Sequence, residues 1–152
     1  MPVAVEAAKT TGVAVVRLIN TFHFAALWPE TEFLAENGLM GLACTVYKPA
    51  VAPAGASTPF FGTNPVSFAW PRPNNDPFVF DMATSTLAMG DVQIAARDGH
   101  EVPHGTGLGP DGKPSDDPAK ILKGVLLPFG GYKGSAIALM IELLSAGMTG
   151  DN

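Results

Sequence analysis

The chain has 152 residues, a formal net charge of −5, and only 15% charged residues. Phosphate contacts need clustered Lys and Arg, and the absence of such clusters argues against nucleic acid as a partner. A hydrophobic content of 47% is enough for one sizeable core, whereas 17 Gly and 14 Pro interrupt the chain too often for long bundle helices.

In chain order, VEAAK reads as a short helix ended by Thr10, Thr11 and Gly12. Residues 13–18, VAVVRL, are apolar without alternation up to Arg17, which predicts a buried strand. Asn20, Thr21 and His23 form a polar strand end, so His23 falls at a strand-to-helix junction. FAALWPETEFLAENG predicts a helix, with Leu27, Phe33 and Leu34 at near-helical intervals, Pro29 in the first turn and Gly38 as the stop. Leu39 to Val46 returns to a strand pattern around the lone Cys44, a buried thiol by its apolar neighbours. KPAVAPAGASTP follows as a long loop without period, of the kind that is either functional or disordered.

Phe61 to Gly99 is the stretch that organises the rest. FAW and FVFD, on either side of PRPNNDP, predict two antiparallel strands joined by a turn. From Thr84 the pattern becomes helical, with Met89, Val92 and Ala96 on one face and Asp91 off it. Gly90 weakens that helix by about 1 kcal/mol relative to Ala, which predicts a packing or close-approach reason for it. Asp111 and Gly112 mark a tight reversal, and Asp116 or Asp117 caps a short helix over AKIL. SAIALMIELLSAGMTG predicts a final helix with Ile137, Met140, Ile141 and Leu144 as its apolar face. The elements make an α+β chain of short pieces.

Thr63, Asn64, Asp81, Ser85 and Asp91 stand at a polar junction between buried elements, where rigid walls and chemistry meet. Thr63 and Asn64 have donors and acceptors for a small polar ligand, or they close the turn before Pro65. Asp91 could orient an imidazole in an acid–base relay, or serve as a solvated or capping carboxylate. His23, beside the small Ala25 and Ala26, could stack on a flat ring or be a structural histidine. His100 and His104 lie in a turn-rich segment and read as surface groups; with His23 they make no metal-ligand spacing, so no metal is expected. GGYKGS offers backbone N–H groups, a helix N-terminus and Lys133, either as an anion site or as a plain glycine-rich helix start. It is not a Walker loop, and no GxGxxG follows a strand.

HFAAL at 23–27, FGTNP at 61–65, FDMATS at 80–85 and LPFGGYKG at 127–134, in this order and spacing over nearly the whole chain, resemble the malate/L-lactate dehydrogenase family of NAD(P)-dependent oxidoreductases. MGDVQIAARDGHEVPHGTG looks like the branch of that family that reduces the cyclic imino acids Δ1-piperideine-2-carboxylate and Δ1-pyrroline-2-carboxylate. The resemblance implies a non-Rossmann cofactor domain, built on a mainly antiparallel sheet with flanking helices. It also implies that His23, Phe24, Ala25, Ala26 and Leu27, Asp81, Met82 and Ala83, and Lys133 and Gly134 line the NADP(H) site, with NAD as the other cofactor. By the same resemblance Thr63 meets the substrate and Asp91 supports the family's catalytic histidine. Many dehydrogenase members carry a lysine near the Asp91 position, which favours the imine-reducing branch over 2-hydroxy-acid dehydrogenases.

Family members are about twice this length, and both ends of the sequence read as cut. Residues 1–152 are therefore expected to be part of a cofactor-binding domain, without the N-terminal segment that carries the serine–histidine pair and arginine and without a C-terminal remainder. The implied protein is a homodimer. An inactive cofactor-binding or assembly fragment is the alternative for the isolated chain. No basic and apolar leader and no bilayer-length apolar run occurs, so a cytoplasmic location away from membranes is expected.

Overall fold

The structure is a computed structural model that describes residues 1–21 and 25–150. Helix α1 (Pro2–Thr11) begins with proline, whose missing N–H has no helical partner to lose in the first turn, and ends at Gly12, left-handed at φ 87°. Helix α2 (Trp28–Glu36) likewise has Pro29 in its first turn. Strands β1 (Gly41–Cys44), β2 (Val66–Arg72) and β3 (Asn75–Met82) form an antiparallel sheet in the order β1-β2-β3. The expected hairpin is present: Phe68 pairs with Phe80 and Ala69 with Val79, and the ladder shifts register between Trp70 and Arg72 at the tip.

Because side chains alternate across a strand, this sheet has two unlike faces. Gly41, Ala69, Ser67 and Asp81 face α2. Gly41 must be small, since a Cβ there would come within 2.8 Å of the Thr31 carbonyl oxygen. The other face carries Leu42, Phe68, Trp70, Phe78 and Phe80. Phe68 stacks between Trp70 and Phe80 at centroid distances of 6.4 and 5.6 Å, and Trp70 and Phe78 remain more than half exposed.

A second, smaller sheet in the order β5-β4-β6 joins β4 (Gly107–Leu108), β5 (Pro114–Ser115) and β6 (Val125–Leu126). Asp117 caps α4 (Pro118–Ile121), its Oδ1 accepting from Ala119 N and Lys120 N, as the sequence predicts. Around this sheet Val51, Phe61, Val92, Ala95, Val102, Ile121, Leu126 and Ala138 close one core. It draws on α3 (Met89–Asp98) and α5 (Tyr132–Glu142). The Pro/Ala/Gly loop belongs to it too: Ala52 N donates to Leu126 O and Leu126 N to Ala50 O, so its centre is buried backbone.

Four expectations need correction. Residues 13–18 form no strand: the run pairs with none of the described strands, and Val13, Val15, Val16, Leu18 and Ile19 are 50–74% exposed. In α2 the sheet-facing residues are Thr31 and Ala35, while Phe33 and Leu34 lie at the margin. The last helix turns Gly134, Ala138 and Ile141 inward, leaving Met140 and Leu144 exposed, and it widens into a π-helical turn over Leu143–Gly147. Gly90 has nothing within 4 Å of where a Cβ would stand, so no packing reason for it exists within the described residues. No helix among the described residues is long and apolar enough to cross a membrane.

Candidate functional site

The separate motif stretches converge on one residue that sequence reasoning did not single out, Thr84. Its N–H donates to Thr63 O at 2.8 Å, and its hydroxyl, 3.1 Å from both Thr63 O and Asn64 O, shares its proton between them. Its own carbonyl accepts from Phe129 N at 3.1 Å, and Ser85 bridges to Pro128. FGTNP, DMATS and LPFGGYKG are thereby fastened side by side. A threonine in a turn between a strand and a helix carries no signal of this in sequence, since its partners lie 20 and more residues away.

Thr63 is buried, with no partner for its hydroxyl among the described residues. Asn64 is fully buried and holds the backbone left-handed at φ 35°, a conformation that asparagine tolerates better than most residues and that still costs about 1–3 kcal/mol. Its amide orientation follows from its partners: Oδ1 accepts from Tyr47 N at 3.3 Å, while Nδ2 donates to Ala138 O at 3.2 Å and Glu142 Oε2 at 2.7 Å. With every side-chain atom engaged, Asn64 is a structural tie and not the ligand contact entertained for it. Gly62 beside it leaves no room for a Cβ, which would stand 2.2 Å from Tyr47 O.

Asp81, at the end of β3, reaches across to the start of α2. Its Oδ2 accepts from Leu27 N at 2.7 Å and Trp28 N at 2.9 Å. Leu27, the N-cap residue, has no cap of its own, so a carboxylate from a distant strand satisfies the exposed helix donors and faces the positive end of the helix dipole. This contact brings together Leu27 and Asp81, two of the expected cofactor residues, and fixes the backbone leading into Trp28. Ala25 is exposed and Ala26 partly so; Met82 is exposed and Ala83 half-buried, next to Thr84. His23 and Phe24 lie outside the described residues.

Helix α5 starts from Gly130 and Gly131, both at positive φ, 58° and 63°, and has no side-chain cap. Gly134 lies against Phe129, where a Cβ would come 2.1 Å from the carbonyl oxygen. The first turn presents the positive end of the helix dipole and the exposed Lys133, while Lys133 N turns back to Gly130 O and Ser135 N to Gly131 O; this positive charge suits the phosphate groups of a nicotinamide dinucleotide.

Asp91 stands apart from these contacts. It is exposed in the first turn of α3, with no side-chain hydrogen bond among the described residues. The turn before it is fixed by Ser85 Oγ donating to Leu87 O at 2.6 Å and Thr86 Oγ1 to Thr106 O at 3.0 Å. At the far end of α3 a hydrogen bond between the exposed Arg97 and Asp98 raises the guanidinium pKa and lowers that of the carboxyl. His104 Nδ1 lies 3.1 Å from Asp116 Oδ1 at the surface, and no three His, Cys, Asp or Glu side chains gather as a metal site among the described residues. Cys44 is only half-buried, with Sγ 3.6 Å from Ser145 Oγ.

Grooves of about 200 and 340 Å³ lie elsewhere, one by Lys48, Met89 and Gln93 and the other by His100, Glu101 and Asp117. Neither is lined by Thr63, Asp81 or Lys133.

This antiparallel, non-Rossmann arrangement is that of the malate/L-lactate dehydrogenase family, which matches residues 1–152, and the chain belongs to that family. It is 54% identical over 147 residues to a Δ1-pyrroline-2-carboxylate/Δ1-piperideine-2-carboxylate reductase of Pseudomonas putida, covering 96% of this chain and 43% of that protein. The crystal structure of Δ1-piperideine-2-carboxylate reductase from Pseudomonas syringae pv. tomato superposes with a TM-score of 0.96 at 50% identity, over 99% of this chain and 46% of that one. Sulfolactate dehydrogenase from Methanocaldococcus jannaschii is similar at a TM-score of 0.85 and 41% identity, over 95% of this chain and 42% of that one. The chain spans less than half the length of each of these relatives.

Proposed function

We propose that this chain is the cofactor-binding part of an NADPH-dependent reductase of cyclic imino acids, converting Δ1-piperideine-2-carboxylate to L-pipecolate and Δ1-pyrroline-2-carboxylate to L-proline. The observation that carries the reading is the junction at Thr84, which sets the expected substrate residue Thr63 beside the glycine-rich start of α5. The 54% identity to a reductase of that name supports the choice of substrate.

In this reading Lys133, Gly134 and the positive end of α5 hold the cofactor phosphates. Residues 23–27 and Asp81, Met82 and Ala83 line the rest of the cofactor site, with Asp81 acting through the helix start that it caps. The bound cofactor supplies hydride to the C=N carbon. The chain's own residues bind and orient: Thr63 offers its hydroxyl to the substrate, and Asp91 orients an imidazole that delivers the proton to nitrogen. That imidazole belongs to sequence outside these residues, as in the serine–histidine segment that the resemblance implies. NADH is the alternative donor, and the working unit is a cytoplasmic homodimer.

The test is NADPH oxidation by the family-length protein containing this chain, with Δ1-piperideine-2-carboxylate beside pyruvate and oxaloacetate, repeated with Asp91→Ala. Turnover of the cyclic imine, reduced about 100-fold or more in the variant, is expected for a group that orients a general acid. Preferential turnover of the keto acids would overturn the reading in favour of a 2-hydroxy-acid dehydrogenase, the activity named for the 41%-identical sulfolactate enzyme.

A further inference from the structure

Thr63 is tied to α5 at both ends of that helix. At the N-terminal end the tie runs from Thr63 O through the backbone of Thr84 to Phe129 N, and Phe129 O lies against Gly134, the residue after Lys133. At the C-terminal end it runs through Asn64, whose Nδ2 reaches Ala138 O and Glu142 Oε2 just before the π-helical turn. The Thr84 hydroxyl joins the two ties, because its one proton faces the carbonyls of both Thr63 and Asn64. Asn64 also precedes Pro65, whose ring disfavours helical backbone in the residue before it, so its left-handed φ of 35° is held by these contacts against local preference.

From this we infer that Asn64 and Thr84 are positioning residues, which set the Thr63 hydroxyl at a fixed place relative to the glycine-rich start of α5. The inference rests on the reading of Thr63 as substrate contact and of Lys133 and Gly134 as cofactor contacts. Neither positioning residue is free to touch a ligand: Thr84 is 1% exposed, and Asn64 is fully buried with its amide fully engaged.

Thr84→Val tests this in the family-length protein. Valine keeps the shape and the N–H, and the carbonyl still accepts from Phe129, so the cofactor side of the junction stays. Only the hydroxyl tie to Thr63 and Asn64 is lost. The expected result is an imino-acid KM raised about tenfold, the scale of one buried hydrogen bond, with the NADPH dissociation constant unchanged within about twofold. L-Pipecolate affinity measured by calorimetry should weaken in parallel, and Thr84→Ser should restore both. Asn64→Gly, which accepts the left-handed backbone but removes all three side-chain bonds, should reproduce the selective rise in KM.

Wild-type KM and product affinity in both variants would overturn the inference. Equal losses of NADPH and substrate binding with a lowered unfolding midpoint would do the same, since that is the mark of a merely structural role. If the wild-type protein turns over pyruvate or oxaloacetate in place of the cyclic imine, the functional reading falls. The same comparison of variant with wild type, made on that acid, still decides the inference.

Discussion

The larger sheet is rich in aromatic residues and the smaller has none, yet the smaller is the better covered. The core at the small sheet β5-β4-β6 is enclosed on the β6 side: Val125 and Leu126 are 2% exposed, as is Ile121 of α4, and loop, α3, α4 and α5 close around them, while Pro114 of β5 stays exposed. The larger sheet β1-β2-β3 is covered by α2 on one face and leaves Trp70 and Phe78, 55 and 54% exposed, on the other. Aromatic content therefore does not decide what is buried here. Enclosure follows where several elements converge from different directions, and among the described residues the wider sheet is packed chiefly by α2. The junction of Thr63, Thr84 and Phe129 lies where the two regions meet, framed by the enclosed one.

The sharpest way to break this comparison is a pair of truncations. Ile121→Ala in the enclosed core should lose about 2–5 kcal/mol by denaturant unfolding, as buried side-chain deletions do. Phe78→Ala on the bare face should lose well under half as much, because much of that ring is already in water. Equal losses would mean that the bare face is covered in solution.

A smaller effect is expected at the contact between sheet and helix. Asp81→Ala removes the acceptor of Leu27 N and Trp28 N and should cost about 0.5–2 kcal/mol, the range of a helix N-cap. It should also weaken NADPH binding, read by nicotinamide fluorescence, since the capped turn leads directly from the 23–27 segment. An unchanged stability would place the carboxylate outside the fold's support.

The smallest effect concerns Arg97 and Asp98. The Asp98 carboxyl is held below its ordinary value by its hydrogen bond to Arg97, so its contribution to stability is present above the unfolded carboxylate pKa and is lost as pH falls through the folded value. Both groups are exposed, where ion pairs are screened. Arg97→Ala should therefore lower the neutral-pH plateau of a stability–pH profile by a small amount and leave the strongly acid end unchanged, so that the acid limb flattens; a loss that persists below the folded carboxylate value would contradict a role through this ion pair.

The expectations that held rest on local chemistry. Pro29 in a first turn, Asp117 before Pro118 and the FAW–FVFD hairpin each act on backbone within a few residues, so their effects are legible in order along the chain. The corrections are all about partners. VAVVRL has strand composition, yet a strand exists only when another edge pairs with it. Met140 and Leu144 have the helical spacing of a buried face, but the elements packed on α5 meet Gly134, Ala138 and Ile141 instead.

The same division runs through the site. Sequence by itself determined the chemical inventory: a threonine and asparagine before a proline, a carboxylate ending a strand, and a lysine among glycines at a helix start. It also carried the family, because motif order and spacing survive without knowledge of the fold. Only the tertiary structure decided that Asn64 is a strut, that Asp81 caps a helix 53 residues away, and that Thr84 joins three stretches. The physical reason is that a hydrogen bond depends on where donor and acceptor meet in space, and distance along the chain says nothing of that.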